Sequence, residues 1–177
     1  MNFAAISITL FISDLIPLPI EKFIGQIFIW EPSMQKFVLD KNRNTYAYIA
    51  DKKYPWMQFE MVMEEEVHLV QITNLQNNVT VEVRVGNENV SNTFNQQIIS
   101  VNEFCGDLNE QDLNTHIIKC TKPQKGKFVT IQITKDKKES LKMSEVDIFG
   151  KRKGKKTQLE SARNKQSIKF IISIITI

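Results

Sequence analysis

The chain has 177 residues, 42% of them hydrophobic, and a formal net charge of +3 at neutral pH. That length and apolar content suit one domain with extensions at its ends and exclude an intrinsically disordered chain. Residues 151–177 hold eight Lys or Arg and one Glu, +7 in all, which leaves −4 for residues 1–150, so the basic balance belongs to a tail and no nucleic-acid partner is expected.

The first 33 residues are apolar and punctuated by proline, with no clear period. Phe3–Ile12 has the length of the apolar region of a signal peptide, although no Lys or Arg precedes it. Asp14, Pro17, Pro19, Glu21 and Lys22 interrupt the run, so no transmembrane span is expected. The alternative for this segment is an apolar stretch packed on the domain. Lys36–Leu39 reads as a short strand and residues 40–45 as a polar loop. Pro55 opens an extended run, Trp56–Met63, which Glu64–Glu66 ends as a charged turn. Val67–Asn74 alternates as a central strand, and Asn77-Asn78 signals a turn. Val79, Val81, Val83 and Val85 alternate with Thr80, Glu82 and Arg84. This strict period of two marks a strand with one buried face. Residues 87–96 read as a loop. Ile98–Val101 and His116–Lys119 are candidate strands flanking the cysteines. Phe128–Ile133 is another, and Leu141–Phe149 is the last, closed by Gly150. Short strands, regular turn signals and no long helical period indicate an antiparallel β-sandwich or barrel. Past Gly150 come the basic run 151–156, a polar stretch and the apolar Phe170–Ile177, too short to cross a bilayer. This tail is placed outside the domain, with a basic-flanked membrane-surface anchor as the minor alternative.

Cys105 and Cys120 are the two cysteines. Together with the sequons at Asn78 and Asn89 they favour a disulfide in a secreted glycoprotein over free thiols in a cytosolic one. No GxGxxG, P-loop, GxSxG or HExxH occurs. His68 and His116 lie within strand patterns, and two His with two Cys are too few to suggest a zinc site. The chain is therefore expected to be a binding module and not an enzyme. Trp56 opens a strand and reads as core. Tyr46, Tyr48 and Tyr54 are candidates for stacking on a sugar or a partner protein.

Three segments occur in a telling order: Val38–Tyr46, an acidic loop; Tyr54–Met61, a Pro-Trp entering a strand; and Ser144–Gly150, a closing strand. Between them lie Val70–Asn74, Val81–Gly86, Cys105-Gly106, Cys120 and Gly126–Ile131. Over residues 34–150 this pattern resembles the fucolectin (F-type lectin) family, within the wider discoidin and coagulation-factor C-type group. The resemblance implies an all-β, eight-stranded antiparallel jelly-roll sandwich of galactose-binding-domain type, secreted, calcium-binding in many members and fucose-binding in many. Calcium takes six to eight oxygen ligands. On the resemblance they would come from Asp40, Asn42 and Thr45 of the early loop, and from Glu145 with the carbonyl of Ser144 in the closing strand. Phe37 stands where the family has an Asn ligand, and Lys41 where it has a Gly. At the sugar site Leu75 holds the position of a family Arg, and Tyr48 stands near that of a loop His. These two are the candidate ligand-binding positions, in a sugar site expected to have diverged. The expected function is that of a secreted, calcium-stabilised carbohydrate-binding module whose partners are cell-surface or secreted glycans. The alternative is an extracellular adhesion domain that binds a protein without lectin activity; either allows a homo-oligomer.

Overall fold

The computed structural model describes residues 15–25, 37–76, 79–90, 100–108 and 114–151. Nine strands lie within them: β1 (Ile16–Pro17), β2 (Ile20–Gly25), β3 (Ala47–Lys53), β4 (Trp56–Thr73), β5 (Val81–Gly86), β6 (Glu103–Leu108), β7 (Thr115–Ile133), β8 (Lys138–Met143) and β9 (Glu145–Lys151). Every pairing is antiparallel. A seven-stranded sheet runs β1-β9-β4-β7-β5-β6, with β2 also on β4, and β3 and β8 form a two-stranded sheet. Because β7 covers one edge of β4 along most of its length, β2 and β9 share the other edge in tandem, β2 against the first half and β9 against the second.

Alternation decides which side chains meet. Val81, Val83 and Val85 are fully buried while Glu82 and Arg84 between them are half-buried. The same period buries Ala47 and Ile49 of β3 and Leu141 and Met143 of β8. These residues join Phe59, Val70, Ile72, Val129, Ile131, Val146 and Ile148 of the large sheet in one core cluster. The layered result is an all-β sandwich, as the motif order implies. No helix among the described residues is long and apolar enough to cross a membrane.

Several boundaries differ from the sequence expectation, each for a physical reason. Glu64–Glu66 is not a turn; β4 continues through it with irregular register. Glu66 sits opposite Lys125 of β7 and Lys151 of β9, so cross-strand opposite charge makes the acidic run compatible with a strand. Leu141–Phe149 is two strands broken at Ser144. His116–Lys119 and Phe128–Ile133 belong to a single strand, β7. Phe37–Asp40 is a turn, and residues 100 and 101 lie before the strand that begins at Glu103. Within the apolar N-terminal segment, residues 16–25 build β1 and β2, and Leu18 and Phe23 enter the core. Phe23 stacks on Phe59 with ring centroids 5.3 Å apart. The sandwich therefore extends N-terminally of residue 34. Phe3–Ile12 and residues 152–177 lie outside the described residues.

The outer face of the large sheet carries a charged staple. Glu60 of β4 is 6% exposed. Lys22 Nζ of β2 lies 2.8 Å from Oε2, and Lys127 Nζ of β7 lies 2.6 Å from Oε1. Hydrogen bonds from Lys127 and Lys22 hold the Glu60 carboxyl below its usual pKa against the opposing effect of burial. A folded-state pKa below the unfolded one stabilises above the ordinary glutamate pKa and is lost as pH falls through the folded value. Glu60→Gln is thus expected to cost about 2 kcal/mol at pH 7. Urea unfolding at pH 7 and at pH 3 should show that the difference shrinks on acidification.

Candidate functional site

The corner at Ser144 is written in the burial pattern. Leu141 and Met143 face the core, and so do Val146 and Ile148, so the inward phase slips by one residue between them. There the chain leaves β3 and joins β4, and Glu145 is caught at the slip with 4% exposure. Ser144 N donates to Thr73 O at 2.9 Å, and Val146 N donates to Val38 O at 3.3 Å. Asn74, in the left-handed region at φ 51°, donates through Nδ2 to Arg43 O at 3.1 Å and to Ser144 Oγ at 3.2 Å. Ser144 Oγ in turn donates to Arg43 O at 3.2 Å. Three segments distant in sequence are thereby fixed at one corner.

The acidic loop closes over it. Asp40 Oδ1 accepts from Asn42 N at 2.8 Å, and Asn42 Oδ1 accepts from Asn44 N at 3.0 Å. Thr45 Oγ1 lies 3.0 and 2.8 Å from the two Asp40 carboxylate oxygens, 2.8 Å from Asn42 O and 3.4 Å from Phe37 O. Lys41, at φ 60°, adopts the conformation that a glycine takes without strain, and its ammonium pairs with Asp147. Both carboxylate oxygens of Glu145 are buried without a hydrogen-bond partner. Burial first, and the neighbouring Asp40 carboxyl second, push its pKa up to about 7, with Lys41 partly opposing. Asp40 is held below its usual pKa: the Asn42 N–H, the Thr45 hydroxyl and Glu145 together outweigh the upward push of its desolvation. At neutral pH Asp40 therefore carries the charge, and Glu145 is poised between its two states.

Of the sequence-derived set, Asp40, Asn42, Thr45, Ser144 and Glu145 all lie at this corner. Their chemistry suits a hard cation: two carboxylates, a hydroxyl, and carbonyls within reach of that hydroxyl. Among the described residues no group of three or more His, Cys, Asp or Glu is placed to hold a metal. A half-open cleft of about 280 Å³ runs beside the loop, walled by Pro17, Pro19, Ile20, Leu39, Lys41 and Asp147 among others. Its N-terminal wall comes from strands that the sequence motifs do not reveal.

The other candidates separate. Leu75 is 5% exposed and part of the core, so it offers no surface to a ligand. Trp56 is 1% exposed and packs with Val90 and Ile24, the core role its sequence context suggests. Tyr48 and Tyr46 are exposed on the outer face of the β3–β8 sheet. Tyr48 Oη lies 3.1 Å from Ser140 Oγ, and Lys142 Nζ sits 3.8 Å above the Tyr46 ring centroid. This aromatic face is the surface that sequence reasoning saw only in part: the tyrosines were visible, but the strand that aligns them with Lys142 was not. Cys105 and Cys120 form a disulfide between β6 and β7. Asn89 is exposed, and Asn78 lies outside the described residues. His68 Nε2 lies 2.8 Å from Glu66 Oε1, and burial lowers the pKa of His116; neither joins this corner.

No protein-family model matches the chain, and no curated protein matches it. Solved structures do. A fucolectin from striped bass (Morone saxatilis) serum aligns with a TM-score of 0.57 at 19% identity, covering 73% of this chain and 45% of that one. The module CpGH89CBM32-6 from Clostridium perfringens aligns at 0.53 and 15% identity, covering 78% of this chain and 95% of the module. The CBM32 of AlyQ, solved with 4,5-unsaturated mannuronic acid, aligns at 0.55 and 12% identity over 76% of this chain and 98% of that one. The chain thus spans less than half the length of the striped-bass lectin but nearly all of each isolated module. It shares the galactose-binding-like β-sandwich fold of the fucolectin and of these carbohydrate-binding modules.

Proposed function

We propose that the protein is a secreted, non-catalytic carbohydrate-binding module whose sugar-facing surface is stabilised by calcium. The observation that carries this reading is the exposed Tyr46–Tyr48 pair, Tyr48 on β3 and Tyr46 just before it, on the side of the β3–β8 sheet opposite the buried core. Tyrosine offers a flat apolar ring for the C–H face of a pyranose and a hydroxyl for its polar edge, at little cost in side-chain entropy. The sandwich fold, shared with a lectin and with carbohydrate-binding modules, supports the same class of ligand. The calcium part rests on the buried carboxylate of Glu145 beside the exposed carboxylate of Asp40, two acidic groups whose proximity a divalent cation would relieve. Asp40, Thr45 and Glu145 would hold the ion, with Asn42 and Ser144 contributing backbone or side-chain oxygens. Its role would be to rigidify the loop that leads into Tyr46. Secretion fits the Cys105–Cys120 disulfide and the exposure of Asn89, which opens a sequon. A glycan array probed with the full-length protein in millimolar calcium tests this function. Defined saccharide hits are expected; a blank array with folded protein would leave the adhesion alternative in its place.

A further inference from the structure

We propose that the outer face of the β3–β8 sheet takes an acidic saccharide, with the ring on Tyr48 and its carboxylate or sulfate on Lys142; this rests on the carbohydrate-binding reading above and names its ligand class. β3 and β8 are in antiparallel register with Tyr48 directly opposite Lys142, Ala47 opposite Met143 and Ile49 opposite Leu141. Ala47, Ile49, Leu141 and Met143 are each at most 2% exposed, so the alternate positions Tyr46, Tyr48, Ser140 and Lys142 point outward together. Tyr46 and Tyr48 are 43% and 37% exposed. Directly opposed residues bring their side chains within about 5 Å at Cβ, so the ammonium and the Tyr48 ring are neighbours.

Lys142 is the deciding group. Its Nζ lies 3.8 Å above the Tyr46 ring, where the ring quadrupole holds a cation. Among the described side chains no carboxylate pairs with it, whereas Lys41, Lys53 and Lys137 each have one. Its backbone carbonyl accepts from Gln76 N at 2.9 Å, which fixes the strand beside the 74–76 segment. The face thus presents a positioned cation with donors to spare beside an exposed aromatic ring. A neutral sugar would use the ring and leave the charge unmatched. A sugar with a carboxylate or sulfate uses both, because a charge-assisted hydrogen bond is about twice as strong as a neutral one.

Calorimetric titration of the full-length, calcium-loaded protein at low ionic strength tests this, with methyl glucuronide and galactose 6-sulfate as probes against their neutral parents methyl glucoside and galactose. Each acid is expected to bind about tenfold tighter than its parent, equivalent to one charge-assisted contact. Lys142→Gln should bring each pair within about twofold at an unchanged melting temperature, and added salt should do the same to the wild type. A tighter glucuronide or a tighter sulfate identifies which anion fits best. Equal or better binding of the neutral parents overturns the acidic preference while leaving carbohydrate binding intact. An acid preference that survives Lys142→Gln overturns the role of Lys142. Failure of all four probes together with a blank glycan array would remove the carbohydrate reading itself.

Discussion

Glu145→Gln is expected to stabilise the calcium-free protein above neutral pH and to make it unresponsive to calcium. The sign follows from the pKa. The Glu145 carboxyl is raised from 4.5 to about 7 in the folded state by burial and by Asp40. Between those values the folded state binds a proton that the unfolded state has released, so stability falls as pH rises through this window. Above it the folded protein carries the full penalty of a buried, unpartnered carboxylate, roughly 3 kcal/mol for a shift of this size. The neutral, isosteric amide avoids that penalty. The variant should gain up to roughly 3 kcal/mol at pH 8 and nothing below pH 4, where the wild-type carboxyl is already neutral. Calcium offers the wild type a second relief. At free calcium about a hundredfold above the dissociation constant the gain is about 2.7 kcal/mol, on the order of 8 °C in melting temperature for a chain of this length. Asp40→Asn should lose that gain as well. Thermal unfolding in calcium and in chelator, at pH 4 and pH 8, reads all of these. A variant less stable than wild type at pH 8 would contradict the buried-charge account. A variant that keeps the calcium shift would remove Glu145 from the proposed ligand set.

Double replacement of Cys105 and Cys120 by serine should lower stability by about 3 kcal/mol, the loop-closure entropy of a cross-link spanning some fifteen residues. The location raises the stakes. β6 ends the large sheet and is hydrogen-bonded in register to β5, and the disulfide ties it to the first half of β7, which lies beside it. Without the cross-link the edge strand keeps the β5 ladder, the hydrogen bond from Gln124 Nε2 to Phe104 O at 3.0 Å and the close approach of Gly106 to Lys119. Hydrogen exchange should then show β6 amides exchanging before those of β4 and β7. Guanidinium unfolding of the serine variant, with wild type under oxidising and reducing conditions as references, gives the magnitude. A change below 1 kcal/mol would mean that β6 and β7 are already held by packing and ladder bonds.

Period-two valines made β5 plain, because each of Val81, Val83 and Val85 is buried and the residues between are not. Other strands were hidden by chemistry that resolves only in three dimensions. Glu64–Glu66 reads as a turn until Lys125 and Lys151, distant in sequence, are placed beside it. Pro17 and Pro19 read as breakers, yet β1 is a two-residue edge strand, where a missing N–H costs little. The corner was legible by resemblance and not by pattern. Read as one strand, Leu141–Phe149 hides the slip of apolar phase at Ser144 that buries Glu145, and Glu145 enters the set only through the family resemblance. The same resemblance supplied Asp40 as its neighbour. The aromatic face was the least legible part. Residues 47–53 carry Asp51, Lys52 and Lys53 and look like loop, and only the pairing of Tyr48 with Lys142 turns separate tyrosines into a surface. Leu75 shows the reverse limit, since alignment to a binding position did not keep it at the surface.

The proposed function requires the Tyr46–Tyr48 face to bind saccharide. The most direct measurement is the affinity of the best glycan-array ligand for wild type and Tyr48→Ala, both full-length, calcium-loaded and matched in melting temperature. Loss of the ring contact should weaken binding about tenfold, the equivalent of roughly 1.4 kcal/mol. Equal affinity for the two proteins would place saccharide recognition elsewhere on the sandwich and contradict the account.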